Sequence, residues 1–289
     1  MESTNQRRTL GSISPSARIH HTALIHPTAV IGKNVEISPY VIIGEKTVIG
    51  DDCIIGPHVN IDGWTILGRG NKISRGTYIG CDPESPKYKG ESNCKNNYLI
   101  IGDNNIFREN VTVCRSIKQD EEETRIGNNN LFMDYSNIAQ NCRIGSNTVV
   151  TNCVSLAANV VVEDYARIGG LSMVQQYCRI GKMAMVGACT KIVKDVPPFM
   201  LADGNPTSIY GLNIVGLRRN EIDPEVRRLL KKAYRILYRS GLSLEGAIEI
   251  IEKELDASYE VKYLVNFLKN SKRGIINQII EENEEQDLD

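Results

Sequence analysis

The sequence predicts a mainly β protein: a parallel β-helix of hexapeptide repeats, followed by a C-terminal α-helical domain. An apolar residue recurs at every sixth position over most of residues 19–192. Glycine and asparagine are frequent between these positions, and an α-helical pattern replaces the repeat after Pro198. Neither the helical period nor the alternation of a long strand gives a period of six, whereas short strands joined by tight corners do.

The repeats form three blocks separated by two insertions, at about residues 81–98 and 115–124. The recurring apolar residues are Ile19, Ile25, Ile31, Ile37, Ile43, Ile49, Ile55, Ile61, Leu67, Ile73 and Ile79, then Ile101, Phe107 and Val113, then Ile126, Phe132, Ile138, Ile144, Val150, Leu156, Val162, Ile168, Val174, Ile180, Val186 and Ile192. Insertions in a solenoid leave one face as loops, which often form the binding face. Surface loops without a function are the alternative interpretation.

Each hexad is expected to point its apolar residue inward and to turn at a glycine or asparagine, because both residues tolerate left-handed backbone conformations. Glycine follows the apolar residue in Ile49-Gly50 and Ile168-Gly169, among others. The asparagines expected at corners are Asn34, Asn71, Asn104, Asn105, Asn128, Asn129, Asn130 and Asn147. A narrow interior filled by Ile and Val also explains an aromatic content of only 6%, because larger rings would overpack it.

The C-terminal region has the start and stop residues of helices. Asp223 is the expected N-cap of a first helix with Pro224 at its first position, and Gly241 ends that helix. A second helix is expected to start at Ser243 and a third over residues 260–268. These patterns divide the chain into an N-terminal extension (1–18), the β-helix (19–212), a helical domain (213–280) and an acidic tail (281–289).

Composition excludes several classes of protein. A net charge of −1 with 24% charged residues argues against disorder and against a surface that binds nucleic acid. The chain has four histidines, all before residue 60, so no histidine is available later for catalysis or for a metal site; they are His20, His21, His26 and His58. We expect no metal. The polar N-terminus and the lack of any membrane-length apolar run predict a soluble, cytoplasmic protein without membrane insertion.

The eight cysteines show no zinc-like spacing, and we interpret them as core thiols. Cys81 and Cys94 flank the first insertion and are the one pair that could interact there.

Several segments beyond the hexads identify a family: Asp195-Val196-Pro197-Pro198, Asp203-Gly204-Asn205-Pro206, the run from Gly211 to Arg219, Tyr238-Arg239-Ser240-Gly241 and Lys272-Arg273-Gly274. From about Ile19 to Ile275 the chain resembles the acyl-carrier-protein-dependent UDP-N-acetylglucosamine O-acyltransferases, which start lipid A synthesis. The resemblance implies a left-handed β-helix and a homotrimer with active sites between neighbouring prisms. It also implies transfer of a 3-hydroxyacyl group to the 3-position of the UDP-sugar. The acyl carrier protein delivers that group on its phosphopantetheine, and no separate cofactor is implied.

The resemblance fails at the catalytic base. In the family, a histidine takes a proton from the attacking sugar hydroxyl, and an acidic residue follows it. Here Gln140 occupies the general-base position, Asn141 replaces the acidic residue, and Asn137 replaces a second histidine. An amide cannot accept a proton at neutral pH. The standard histidine mechanism is therefore not expected in this chain.

Other family positions have also changed. Cys114, Asn159 and Gln175 stand where the family has histidine, Ser85 where it has an aspartate, and Asn220 where it has a second phosphate-side arginine. The retained or adapted substrate contacts implied by the resemblance are Lys87, Asn159, Gln175, Gln176, Asn205 and Arg219. The backbone of Ala158 is the implied oxyanion donor. Gly170 would contact the pantetheine arm, and Ala188 would admit a medium to long acyl chain.

Two interpretations of these changes remain open. The chain could acylate an acceptor that needs less base catalysis, such as an amino sugar, through positioning and backbone oxyanion stabilisation. Alternatively, it could bind a nucleotide sugar or the acyl carrier protein without turnover. Cys114 as a covalent nucleophile is a third idea, disfavoured because no base is visible beside it. A basic face on the first C-terminal helix suits either solvent or an acidic acyl carrier protein.

Overall fold

The computed structural model describes residues 11–83, 98–117, 123–255 and 258–277. Short strands in this part of the chain form three sheets, which are the three faces of a left-handed β-helix. The hexapeptide prediction of fold class is therefore confirmed.

The strands are numbered in chain order and are grouped here by face. The first face contains β1 (Arg18–Ile19), β4 (Glu36–Ile37), β7 (Ile54–Ile55), β10 (Lys72–Ile73), β13 (Ile106–Phe107), β16 (Leu131–Phe132), β19 (Val149–Val150), β22 (Arg167–Ile168), β25 (Met185–Val186), β27 (Met200–Asp203) and β28 (Ser208–Leu212). The second face contains β2 (Leu24–Ile25), β5 (Ile42–Ile43), β8 (Asn60–Ile61), β11 (Tyr78–Cys81), β14 (Thr112–Cys114), β17 (Asn137–Ile138), β20 (Ser155–Leu156), β23 (Met173–Val174) and β26 (Lys191–Ile192). The third face contains β3 (Val30–Ile31), β6 (Val48–Ile49), β9 (Thr65–Leu67), β12 (Leu99–Ile101), β15 (Thr124–Ile126), β18 (Arg143–Ile144), β21 (Val161–Val162) and β24 (Arg179–Ile180).

Away from the insertions, each residue pairs in parallel with the residue one coil later, 18 positions along the chain, as Ile55 does with Ile73. The second residue of nearly every two-residue strand is the recurring apolar residue. From Ile31 to Ile192 these side chains are buried and form one continuous core. Phe107 and Phe132 stack within it, with ring centroids 4.8 Å apart.

The corner prediction is correct for Asn34, Asn104, Asn129 and Asn147, whose φ angles lie between 55° and 60°. The other four asparagines do not take this left-handed conformation, although Asn128 does lie at a bend. Asn128 instead accepts a hydrogen bond from the backbone N–H of Asp103 at 2.7 Å. The remaining three, Asn71, Asn105 and Asn130, point into the core.

These three buried asparagines form an amide ladder across successive coils. The Nδ2 of Asn105 donates to the Oδ1 of Asn71 at 3.0 Å, and the Oδ1 of Asn105 accepts from the backbone N–H of Asn130 at 3.0 Å. Asn105 also donates to the carbonyl of Gly127 at 2.9 Å, and Thr148 continues the ladder by donating its hydroxyl to Asn130 at 2.8 Å. The ladder gives buried polar groups the partners that burial requires.

Glycine after the apolar residue has a different role from the one predicted. At Gly50, an added Cβ would lie 2.6 Å from the carbonyl carbon of Gly68 in the next coil. The left-handed residue comes two positions later, at Asp52 with a φ of 60°. Glycine is therefore needed because stacked coils approach closely, and the tight turn is made elsewhere.

The β-helix ends in an antiparallel hairpin, β27 with β28, which leads into four helices. These are α1 (Ile214–Arg219), α2 (Pro224–Arg239), α3 (Leu244–Glu254) and α4 (Tyr259–Lys269). Asp223 and Ser243 accept the N-cap hydrogen bonds of α2 and α3, while the short α1 was not anticipated from sequence. Within the described ranges, no helix has both the length and the apolar character needed to cross a membrane.

Polar contacts join the helical domain to the last coils. Glu163 accepts hydrogen bonds from Arg179 at 2.8 Å, from the backbone N–H of Lys182 at 2.9 Å and from the hydroxyl of Tyr263 at 2.9 Å. Burial, reinforced by the negative charge of Glu163, raises the pKa of the Tyr263 hydroxyl. This tyrosine therefore acts as a neutral donor that fixes α4 against the β-helix.

The segment after α4, residues 271–277, returns to the β-helix. The carboxylate of Asp195 accepts from the Ser271 hydroxyl at 2.7 Å, and its backbone N–H donates to the carbonyl of Gly274 at 2.9 Å. The backbone N–H of Ile276 in turn donates to the carbonyl of Asp195 at 3.0 Å. The chain is thus closed back onto its last coil.

Candidate active site

Gln140, Ala158 and Gln176 occupy equivalent positions in three successive coils, at the corner between the second and third faces. The backbone N–H of Asn159 donates to the carbonyl of Gln140 at 3.1 Å, and that of Tyr177 donates to the carbonyl of Ala158 at 3.2 Å. The fold therefore stacks several of the residues selected from sequence along one edge. We call Gln140, Ala158 and Gln176 the amide corner.

Gln140 is well shielded yet incompletely satisfied. Gln140 is only 7% exposed. Its side-chain Oε1 has no hydrogen-bond partner in the part of the chain that the structure describes. Asn137 is half-buried on β17, between Thr112 of β14 and Ser155 of β20. A buried carbonyl oxygen without a donor leaves room to accept a hydrogen bond from a ligand.

Asn141 is fully engaged with its surroundings. Its Oδ1 accepts from the backbone N–H of Ile117 at 2.9 Å, and its own N–H donates to the Thr124 hydroxyl at 2.8 Å. Its Nδ2 donates to the Oδ1 of Asn159 at 3.2 Å. The residue at the family's acidic position therefore holds both ends of the second insertion and orients Asn159.

An ion pair lies on the coil before Gln140. Thr112 pairs with Asn137, so the residues three positions later, Arg115 and Gln140, are stacked in the same register. Cys81 pairs with Cys114, which brings Asp82 next to Arg115. The Arg115 side chain is buried, forms a salt bridge with Asp82 and lies 5.6 Å from the ring centroid of Trp64. Sequence reasoning missed this pair, because the insertions hide which residues are stacked.

Gln175 is oriented by the returning C-terminal segment. Its Oε1 accepts a hydrogen bond from Arg273 Nη2 at 3.2 Å, and Arg273 also donates to the carbonyl of Val193. Arginine has only donors, so the amide oxygen must face it and the amide N–H groups face elsewhere. The two amide N–H groups of Gln175 therefore remain as donors for another partner.

The residues expected around the acyl arm occupy a different corner. Gly170 and Ala188 stack between the first and second faces, where the backbone N–H of Cys189 donates to the carbonyl of Gly170 at 2.8 Å. Asn205 is exposed in the turn between β27 and β28. Within one chain, Gly170 and Ala188 are therefore separated from the amide corner by the second face.

The short helix α1 explains the role of Asn220, which stands where the resemblance implies a second phosphate-side arginine. Arg219 is exposed in its last turn, whereas Asn220 caps the helix by donating its Nδ2 to the carbonyl of Gly216 at 2.8 Å. Asn220 is therefore a structural residue here. Lys87, Ser85 and Cys94 lie outside the described residues.

Cys114, the last residue of β14, is fully buried, so a substrate cannot reach its thiol in this conformation. Its neighbour Cys142 is also buried, which raises the pKa of that thiol to about 12, and its Sγ lies 3.2 Å from the carbonyl oxygen of Ala157. Both are packing residues in the arrangement seen.

The basic face of α2 is present on the surface. Lys231, Arg235 and Arg239 recur every fourth residue and are exposed, which places them along one side of the helix. Arg228 instead pairs with Glu225 at 2.7 Å. The exposed cations thus form a stripe, which we call the α2 basic stripe.

Comparison with known proteins agrees with this architecture. A family model described as UDP N-acetylglucosamine O-acyltransferase, domain 2, matches residues 195–276. The acyl-[acyl-carrier-protein]–UDP-N-acetylglucosamine O-acyltransferase of Syntrophobacter fumaroxidans is 45% identical over 220 residues, covering 76% of this chain and 84% of that protein. Its namesake from Aeromonas salmonicida is 46% identical over 219 residues, covering 76% and 82%. LpxA from Acinetobacter baumannii superposes with a TM-score of 0.85 at 37% identity, covering 90% of this chain and 99% of that one. The chain therefore belongs to the acyl-[acyl-carrier-protein]–UDP-N-acetylglucosamine O-acyltransferase family.

Proposed function

We propose that this protein transfers an acyl group from an acyl carrier protein thioester to a UDP-N-acetylglucosamine-type sugar without a histidine base, and that its preferred acceptor carries an amine at the 3-position. The family membership supports the donor and the nucleotide sugar. The observation that carries the altered acceptor is Gln140, whose Oε1 is buried without a partner among the described residues.

An amide oxygen at this position suits an amine better than a hydroxyl. Gln140 can accept a hydrogen bond from an acceptor N–H or O–H, but it cannot remove a proton from either. A sugar hydroxyl needs a base as it attacks, and loss of a general base costs about 10²–10⁴-fold in rate. An unprotonated amine already carries the attacking electron pair, so Gln140 needs only to orient it.

The backbone at Ala158 can stabilise the charge that develops on the thioester. Its N–H has no hydrogen-bond partner within the described residues, and it is one coil from Gln140. The amine nitrogen would attack the thioester carbonyl carbon, forming the C–N bond and placing negative charge on the carbonyl oxygen. The C–S bond then breaks, and a proton passes from nitrogen through solvent to the departing pantetheine sulfur. A fixed backbone donor aimed at this oxygen lowers the barrier in that step.

A second candidate function is binding without turnover. By the resemblance, four histidine positions of the family carry amides here, at Asn137, Gln140, Asn159 and Gln175. Amides keep hydrogen-bonding capacity while losing acid–base chemistry. In that case the protein would bind a UDP-sugar or the acyl carrier protein and affect the supply of either. Substrate binding without acyl transfer to any sugar acceptor would favour this candidate.

We also propose that the working form is a homotrimer. The residues of the amide corner and those of the Gly170 corner lie on opposite sides of the second face in one chain. A neighbouring copy would bring the two sets together. Exposed apolar residues on the second face, Leu24, Ile42 and Met173, suit such contact. A monomeric mass in light scattering at assay concentrations would contradict this arrangement.

The α2 basic stripe supports the acyl carrier protein as partner, because these carriers are strongly acidic. Charge complementarity would mainly accelerate encounter. Replacing Lys231 and Arg235 by glutamine should therefore raise KM for the acyl carrier thioester and leave KM for the sugar unchanged. An unchanged KM for the thioester across a range of salt concentrations would argue against docking here.

The central experiment compares two acceptors. Purified protein is given an acyl carrier protein thioester with either UDP-N-acetylglucosamine or its 3-amino analogue, and products are measured by mass spectrometry. We expect transfer to the amine and little transfer to the hydroxyl. Efficient hydroxyl acylation would refute the altered-acceptor proposal. If neither acceptor reacts but UDP-N-acetylglucosamine raises the melting temperature, binding without turnover is favoured.

Restoring the base provides a matched test. The variant Gln140→His with Asn137→His should gain hydroxyl transfer, with Gln140→Ala as the control that removes the amide without adding a base. Asn141 is occupied by Ile117 and Asn159, so it is not free to orient a new histidine ring. We therefore expect only part of the usual 10²–10⁴-fold contribution of a general base. Equal rates for the histidine and alanine variants would show that the missing base is not the limiting change.

A further inference from the structure

Arg167 lies on the first face of the β-helix, and Arg219 in α1 is close enough to act on its charge. Arg167 begins β22 and pairs in register with Met185 of β25. The N-cap of α1, Asn213, donates its Nδ2 to the carbonyl of Met183 at 2.8 Å, which anchors that helix beside the same coil. Arg219 is at the other end of the six-residue helix, within about 10 Å of its start at the rise of an α-helix.

Among the residues that the structure describes, the two guanidinium groups have no counter-ion. Neither side chain makes an ion pair or a hydrogen bond within the described ranges of the chain. Burial lowers the pKa of Arg167, and the positive charge of Arg219 lowers it further. Asp203, on β27 of the same face, accepts hydrogen bonds from the hydroxyl of Thr190 and from the backbone N–H of Gly204.

Like charges held together with partial loss of solvent raise the free energy of the unliganded protein. An anion placed between them would remove that penalty. Guanidinium groups match phosphate in shape and can donate two parallel hydrogen bonds to its oxygens. The surface therefore favours a phosphate group over a neutral ligand.

We infer that Arg167 and Arg219 form a clamp for a phosphate group of the substrate. Arg167 then supplies a second cation that position 220 does not, because Asn220 is used to cap α1. The inference rests on the proposed function for the source of the phosphate, which is either the phosphodiester of the phosphopantetheine arm or the diphosphate of the nucleotide sugar. Gly170 follows Arg167 by three residues at the adjoining corner, where the first face ends.

The test measures binding of small ligands, so it does not require turnover. Dissociation constants of the full-length chain are measured by calorimetry for 4′-phosphopantetheine and for pantetheine, and likewise for UDP and uridine. The variants are Arg167→Gln, Arg219→Gln and Arg167→Lys. The control is Arg143→Gln, since Arg143 is an exposed strand arginine on the third face. Thermal melting confirms that each variant is folded.

We expect each glutamine variant to bind one of the phosphate ligands about tenfold more weakly, as loss of a charge-assisted hydrogen bond implies. Pantetheine and uridine should be unaffected, Arg167→Lys should retain part of the affinity, and Arg143→Gln should behave as the unchanged protein. Selective loss of phosphopantetheine identifies the acyl arm as the source, and selective loss of UDP identifies the nucleotide.

Three results would overturn the clamp. These are unchanged affinities for both phosphate ligands in Arg167→Gln, an equal loss for phosphorylated and unphosphorylated ligands, and no preference of the unchanged protein for phosphate. Failure of the proposed function is distinguishable, because absent acyl transfer with an arginine-dependent preference for phosphate would leave the clamp intact.

Discussion

Replacing Asn105 by leucine removes the middle of the buried amide ladder while nearly conserving side-chain volume. Asn105 is fully buried, and its side chain bonds to Asn71, to the N–H of Asn130 and to the carbonyl of Gly127. Leucine leaves the last two groups without their partner inside the core. The Oδ1 of Asn71 keeps the backbone N–H of residue 105, which donates at 2.9 Å.

The size of the effect follows from these contacts. Each buried polar group left unsatisfied costs about 1–3 kcal/mol, so two of them cost about 2–6 kcal/mol. Burying the leucine side chain returns about 1.5–3 kcal/mol. We therefore expect the free energy of unfolding to fall by about 2 kcal/mol.

Urea unfolding followed by circular dichroism measures the change, with protein concentration held constant because assembly contributes to stability. Asn152→Leu is the matched control: Asn152 is exposed, and its side chain donates to Asp134 at 3.0 Å. The control should change stability by less than about 0.5 kcal/mol. If Asn105→Leu is as stable as its control, the ladder does not contribute as argued.

Three further outcomes follow from other contacts. Iodoacetamide at pH 8 should modify the exposed Cys153 and Cys189 in the folded protein, as located by mass spectrometry. Cys142 should react only after unfolding, because its thiol is buried and has a pKa of about 12. Tyr263→Phe removes one hydrogen bond between α4 and the β-helix and should lower stability by about 0.5–1.5 kcal/mol, measured by thermal melting. Burial raises the pKa of the Asp195 carboxyl in the folded protein above its ordinary value of 3.8. The protonated carboxyl therefore stabilises the folded state fully below pH 3.8, and this stabilisation is lost as the pH rises through the folded pKa. Asp195→Asn should flatten this part of the curve of stability against pH.

Each of these outcomes has a clear contrary result. Modification of Cys142 in the folded protein would mean that the core around this thiol opens often enough to admit the reagent. A melting temperature unchanged by Tyr263→Phe would mean that the other contacts of Glu163 suffice. A pH dependence that is the same with and without the Asp195 carboxyl would assign the slope to other groups.

The hexads predicted the core correctly because a single rule, one inward apolar residue in six, governs nearly every strand. Asparagine was harder to assign because a shift of one position along the hexad changes the role of the residue. Asn104 lies three residues before the inward Phe107 and takes the left-handed conformation, whereas Asn105 lies two before it and points inward. Composition alone cannot distinguish these roles, but the register within the hexad can.

The candidate site was less predictable. Similarity to a family indicated the corner that contains Gln140, because the run from Tyr135 to Cys142 resembles the family's run around its general base. The orientation of Gln175 was not predictable, because Arg273 reaches it from 98 residues along the chain. The pair of Arg115 and Asp82 was hidden for a related reason, since the insertions change the spacing between stacked residues.

The hairpin at the end of the β-helix also affects how molecules can associate. A column of parallel strands has two open ends, and unpaired backbone at such ends can recruit another copy. Here β28 runs antiparallel to β27, so the first face ends in a strand of opposite direction. The third face is extended by backbone bridges from Ile180 to Val196 and from Asp195 to Ile275. A second molecule therefore finds no matching parallel edge on the first face at this end, which disfavours the addition of another β-helix there.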